Sequence, residues 1–490
     1  MMAYTRSSTA RMTLIGNLVI CSLPISVVAA FADVKSSSCP FGAIAVEPGN
    51  SIQAAVDLVG EGAVFCLKKG IHRAQAVRPR AGQLFYGEGK TVLNGSRLVE
   101  GFTRENHYWV AQIQLQRVPK YGECMPSASG CDHPQAVFMD DKPLTRVPSK
   151  DALASNEVYI DYAGGRIYLA DDPTNRKIEA TAASFAFKSR AAGVSITKLT
   201  IEKYGTRAQE GAVHAREGTG WVIENCVVRL NSGAGISVGP RSRVHDSDVH
   251  HNGQIGIEGH GNDIRIEGNQ VWSNNIYGFD PGWEAGGVKI ALSDGVTFRG
   301  NHVHHNNGPG LWCDGDCRNV LYEDNLVEHN KNIGIFHEIS FKAVIRRNVV
   351  RFNGENGSWF WAADIVIAAS QDVEVTGNTV TVAPGACGIM LIDQGRQDDG
   401  RKYKTRNNNV HANEMTFEGA VCAGGASDTK PATENFGIIV HGNNRFDGNT
   451  YRVRGRSDPP RFVWDQDVTD WNGFRGKGLE QSGRLILSDK

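Results

Sequence analysis

An apolar residue followed three positions on by Asn, five on by Val and eight on by a second Asn recurs along this chain. It appears as IEGNQVWSN from Ile266, FRGNHVHHN from Phe298, YEDNLVEHN from Tyr322 and IRRNVVRFN from Ile345. IENCVVRLN from Ile223 and VHDSDVHHN from Val244 keep the frame without the first Asn, and VEVTGN, VHANEM and FDGNTY are weaker copies. The closing residues Asn231, Asn252, Asn274, Asn306, Asn330 and Asn353 lie 21 to 32 residues apart, a spacing that suits one coil of a solenoid. Between copies stand short period-two runs headed by Gly: GISVG, GIEGH, GVKIA, GLWCD, GIFHE, GIMLI and GIIVH. Strands this short cannot bury a face alone, so they must stack coil upon coil. The pattern predicts an all-β chain, a right-handed parallel β-helix, with the Asn side chains stacked at one corner, where they tolerate left-handed backbone and hydrogen-bond up the stack. Leucine-rich repeats are excluded because neither their leucine spacing nor a helical half is present.

The rest of the chain divides around this solenoid. SIQAAVDLVG reads as a short amphipathic helix that caps the open end, within an N-terminal cap and first coils over 33–100. Residues 101–182 break the repeat; VFMDDKPL and EVYIDYAGGRIYLADDP read as hairpins of an inserted β-subdomain. The helical core is expected over 183–455 and a C-terminal tail or cap over 456–490.

Alternation along the Gly-headed strands sorts their faces. The residue after each Gly is apolar and points inward, so the second and fourth point out. The second-residue column runs Ser237, Glu258, Lys289, Trp312, Phe336, and the fourth-residue column runs Gly239, His260, Ala291, Asp314, Glu338. One patch thus gathers Glu258, His260, Lys289, Asp314 and Glu338, floored by Trp312 and Phe336. Like charges on neighbouring strands, about 4.8 Å apart, destabilise a sheet, and a purely structural surface avoids them. Two carboxyl groups about 5–5.5 Å apart suit a retaining glycosidase, one attacking the anomeric carbon while the other protonates the leaving oxygen. Their mutual repulsion splits their titration. Glu284 and Lys289, in WEAGGVKI on a longer coil, are candidates for binding sugar hydroxyls or tuning Asp314, and His305 is a candidate that reaches the cleft from a turn.

Composition narrows the setting. Arg6 and Arg11 precede an apolar stretch ending in AFA at residues 30–32, which reads as a signal peptide over 1–32 and a secreted or periplasmic mature chain beginning near Asp33. Cys21 lacks the small residue a lipobox requires before it. The full chain carries 52 basic and 53 acidic residues; without the leader it is mildly acidic, which argues against nucleic acid or a membrane surface as partner. Export permits disulfides. Close spacing favours Cys124 with Cys131 and Cys313 with Cys317; Cys39 with Cys66 and Cys387 with Cys422 are further pairings that spacing alone leaves open, with Cys226 left over. Zinc at CDGDC is disfavoured because no second Cys or His pair lies nearby. No metal or other cofactor is expected, and the oligomeric state is unspecified.

GLWCD, followed 24 residues later by the Glu of IFHEIS, each leading into an Asn repeat, resembles the catalytic coils of β-helix glycoside hydrolases, especially family 120 β-xylosidases and family 141. The resemblance implies Asp314 as nucleophile and Glu338 as general acid/base, an inserted β-subdomain and a carbohydrate substrate; CDGDC and EISFKA depart from the family pattern. Two other classes fit the same scaffold. A polysaccharide lyase or uronate epimerase would use Lys289, His260 or an Arg as base, often with Ca²⁺. A non-catalytic carbohydrate-binding surface protein would have no use for a close carboxyl pair.

Overall fold

Three short strands per coil, each set in register with the coil before and after it, build the protein. The structure, a computed structural model, describes residues 38–116, 119–398, 400–429, 437–454 and 461–488; the expected leader and the start near Asp33 lie outside them. Among the described residues the coils generate three long, almost wholly parallel sheets of 13, 12 and 13 strands. The fold is a right-handed parallel β-helix. Every coil contributes one inward side chain per strand position to a continuous core, for example Ile290, Cys313, His337 and Ile367 in one file. Val, Ile and Leu fill most such positions, as expected of strands buried on one face and paired on both edges.

The Asn repeats form two ladders at two corners, rather than the single stack expected. In one, the side-chain N–H of each of Asn231, Asn252, Asn274, Asn306, Asn330 and Asn353 donates to the side-chain oxygen of the next residue in the ladder, the last being Asp364. In the other, Asn269, Asn301, Asn325, Asn348, Asn378, Asn413 and Asn449 do the same and end at Glu480. Each coil carries two turns flanking a three-residue strand such as His302–His304, so the two Asn of one repeat stand at different corners. Each ladder closes on a carboxyl oxygen that accepts the last Asn side-chain N–H.

At the N-terminal end Ile52–Asp57 is helical, with Ser51 Oγ accepting from Ala54 N and with Ile52 and Val56 buried. Residues 96–181 leave the solenoid and form two further sheets. One joins Ser96–Leu98, Val137–Met139, Lys142–Pro143 and Ile178–Thr181; the other joins Thr103–Glu105, Tyr108–Gln112, Thr145–Val147, Glu157–Asp161 and Arg166–Leu169. At the far end Trp471–Gly476 is helical and buries Phe474.

Cys39–Cys66, Cys124–Cys131 and Cys387–Cys422 are disulfides. The pairing expected for Cys313 and Cys317 is not made: both are buried free thiols, as is Cys226. Cys313 faces the core on the opposite side of its strand from Asp314, and Cys317 donates its S–H to the carbonyls of Ile290 and Asp314 at 3.3 and 3.5 Å. Both thiols are solvated by the core rather than bridged across a surface loop.

Candidate active site

Five strands of the 12-stranded sheet carry the site: Ala234–Val238, Ile255–His260, Gly286–Ala291, Leu311–Asp314 and Ile335–Glu338. Their register aligns Ser237, Glu258, Lys289, Trp312 and Phe336 in one outward file. The parallel file runs His260, Ala291, Asp314, and Glu338 follows one residue beyond the paired Cys313 and His337. Asp314 and Glu338 therefore occupy the same position on adjacent strands, where backbones lie about 4.8 Å apart.

The two carboxyl groups have opposite surroundings. Asp314 Oδ2 is 2.6 Å from Lys289 Nζ, whose other carboxylate neighbour is Glu284 at 2.8 Å. Burial works against the Lys289 charge, but Asp314 and Glu284 more than offset it and hold its pKa above the ordinary lysine value. Glu338 is 6% exposed. Burial first, and the neighbouring Asp314 charge second, push its carboxyl up to about 7. Gln394 hydrogen-bonds it, and Arg396 Nη1 stands 4.0 Å away. Asp314 Oδ1 is buried without a partner among the described residues.

Trp312 and Phe336 form a floor, but a covered one. They are 4% and 7% exposed, with rings stacked 5.3 Å apart. The Lys289 ammonium lies 3.6 Å over the Trp312 ring, and the edge of Trp361 meets Phe336 at 6.2 Å. The outward floor expected from alternation is therefore not open to solvent: a cation and a loop cover it.

On the N-terminal side of Asp314 a polar cavity of about 170 Å³ is lined by Arg216, Gln254, Glu258, His260, Glu284 and Lys289, among others. That is room for roughly five or six waters. Glu258 pairs with Arg216, while its Oε1 is buried with no partner among the described residues. Burial raises the Glu258 and Glu284 carboxyls above the usual range and lowers His260. Pro281–Glu284 is a short helix capped by Asp280, and it delivers Glu284 to this wall. A larger cavity of about 540 Å³, between the inserted hairpins and residues 276–278, holds none of these carboxylates.

His305 does not join the site. It follows a strand of a different sheet, pairs with His304 at 2.8 Å and stacks on His329 at 5.1 Å. Sequence reasoning missed four residues that do. Arg216 stands in the outward file of Asp314, one coil before the first repeat copy, and extending that file backward finds it. Gln394, Arg396 and Trp361 lie on loops, where period two carries no signal.

Residues 210–365 match the family model described as the right handed beta helix region. Comparison with curated proteins finds no match. Among solved structures, the complex of XylC with xylose is 14% identical, covering 90% of this chain and 83% of that one with a TM-score of 0.66. The A-module of the Azotobacter vinelandii mannuronan C-5 epimerase AlgE6 is 13% identical, over 90% of this chain and 94% of that one, with a TM-score of 0.46. A structure described as a glycoside hydrolase is 7% identical over 91% and 96%, with a TM-score of 0.43. At these identities the likeness is one of fold.

Proposed function

We propose that the protein is a retaining glycoside hydrolase, with Asp314 as nucleophile and Glu338 as general acid/base. The observation that carries this reading is the contrast within one stacked pair: Asp314 is ion-paired to an ammonium, while Glu338 is buried and raised to about 7. Such a split provides an ionised carboxylate and a protonated carboxyl side by side near neutral pH. In the first step Asp314 attacks the anomeric carbon, and the bond to the leaving oxygen breaks as Glu338 gives that oxygen its proton. In the second, Glu338 takes a proton from water, which attacks the same carbon and releases Asp314. Lys289 holds Asp314 in place through their ion pair, and the polar cavity beside it receives the sugar being transferred. XylC, solved in complex with xylose, shares the fold at a TM-score of 0.66, so xylosides are the substrates to try first. Three disulfides fit an exported protein.

The lyase or epimerase alternative needs a neutral base beside a uronate. Lys289 is ill suited, because two carboxylates hold its proton on. Proton NMR of the hydrolysis of 2,4-dinitrophenyl β-xyloside and of xylo-oligosaccharides tests the proposal. The β-anomer should form first; an initial α-product, or unsaturated ends absorbing in the ultraviolet from a uronate polymer, would refute it.

A further inference from the structure

The coil that follows Glu338 carries an insertion. Gly310 follows Asn306, and Gly334 follows Asn330, by four residues, whereas Asp364, which pairs in the same file, follows Asn353 by eleven. The added turn, 354–362, is tied down rather than loose. Gly354 N donates to Asn332 O at 2.8 Å, Asn356 N to Lys331 O at 2.7 Å and Trp361 N to Ser358 O at 3.1 Å, and Lys331 pairs with Glu355 at 2.6 Å. It presents three consecutive aromatics. Trp361 packs against Phe336, and Phe360 joins the cluster that contains Trp312, Phe336, Val366 and Met390.

Trp359 is different. It is 47% exposed, its ring lies 4.7 Å from Phe360, and its backbone has φ +52, a left-handed conformation that is costly for a bulky residue. A tryptophan left half exposed contributes little to the fold and presents a flat apolar face to solvent. The turn leads into Ala363–Ala368, the strand that pairs with the Glu338 strand on the edge opposite the Asp314 strand. Resting on the acid/base assignment above, the leaving sugar must lie on that side, because the group that protonates the leaving oxygen faces it. We propose that Trp359, backed by Phe360, is a platform for the leaving-group sugar, so that the glycan lies along the solenoid axis with its transferred unit toward the N-terminal coils. The indole face meets the C–H face of the ring, as flat aromatic surfaces with one polar edge do at wet interfaces.

The test compares xylotriose, which fills a leaving-group subsite, with β-xylosyl fluoride, whose leaving group is a single atom. Trp359→Gly also relieves the left-handed strain, so its melting temperature should equal or exceed that of the unsubstituted protein. The ratio of kcat/KM for xylotriose to that for the fluoride should fall roughly tenfold or more in Trp359→Gly, and Trp359→Phe should restore most of it. An unchanged ratio, with fluoride hydrolysis intact, would overturn the platform and leave the glycosidase assignment standing. Failure of the unsubstituted protein to hydrolyse either substrate would overturn both.

Discussion

Glu338 links its environment to two measurable pH dependences. Its carboxyl is raised from an ordinary value near 4.5 to about 7. Because the folded-state value is the higher one, the proton favours folding: stability is fully present below about 4.5 and is lost as pH rises to about 7. The full loss is roughly 3 kcal/mol. Glu338→Gln, which cannot ionise, should therefore match the unsubstituted protein in denaturant unfolding at pH 4 and exceed it at pH 8. Catalysis runs in the same direction, since the acid must be protonated: kcat/KM should fall as pH rises through about 7. A second residue-scale prediction concerns Lys289. Lys289→Met removes the ammonium that neutralises Asp314 and Glu284, two carboxylates then facing each other in a buried site. Turnover should fall about 100-fold or more, with the loss in kcat rather than KM, as steady-state kinetics will read. The outward files holding these residues were legible because strand alternation is strict and each strand announces its start with Gly. Alternation also explains the misreading of Cys313 and Cys317. Their spacing of four is disulfide-like in a loop, but Cys313 lies on the inward face of a strand, where a thiol packs as a small hydrophobe.

At the scale of elements, the Asn ladders tie the coils together. Asn330 makes bonds to Asn306, Asn353 and Val303 O, so Asn330→Ala orphans buried groups on two neighbouring coils. It should cost at least about 2 kcal/mol in chemical denaturation. The ladder ends predict a pH effect of their own. Burial pushes Asp364 up to about 8, so its contribution is present below the ordinary Asp range and is lost as pH rises toward 8. Asp364→Asn keeps an acceptor for Asn353 and should raise the melting temperature at pH 9 more than at pH 5. Repeat frame and Asn spacing were enough to predict the coil. They did not assign the two Asn of a repeat to separate corners, because the three-residue strand between them is too short to show its own period. Nor could periodicity describe the turns 354–362 and 394–396, whose conformations depend on what they pack against.

For the whole molecule, the solenoid makes a rigid rail on which neighbouring strands set the spacing of the Asp314–Glu338 carboxyl pair, and non-repeating segments close the cleft around it. The inserted loop bearing Cys124–Cys131 packs on the segment that carries Phe279 and Trp283, so residues far from the solenoid frame support the wall that bears Glu284. Among the described residues no helix is long and apolar enough to cross a membrane. The same stacking that sets the carboxyl spacing makes a definite claim about chemistry, namely a covalent sugar ester on Asp314. Mass spectrometry of peptides after incubation with 2,4-dinitrophenyl 2-deoxy-2-fluoro-β-xyloside tests it most directly, because the fluorine slows hydrolysis of the intermediate. The account predicts one fluoroxylosyl adduct, on the peptide containing Asp314 and absent from Asp314→Asn; an adduct on Glu338, or steady turnover with Asp314 unmodified, would contradict it.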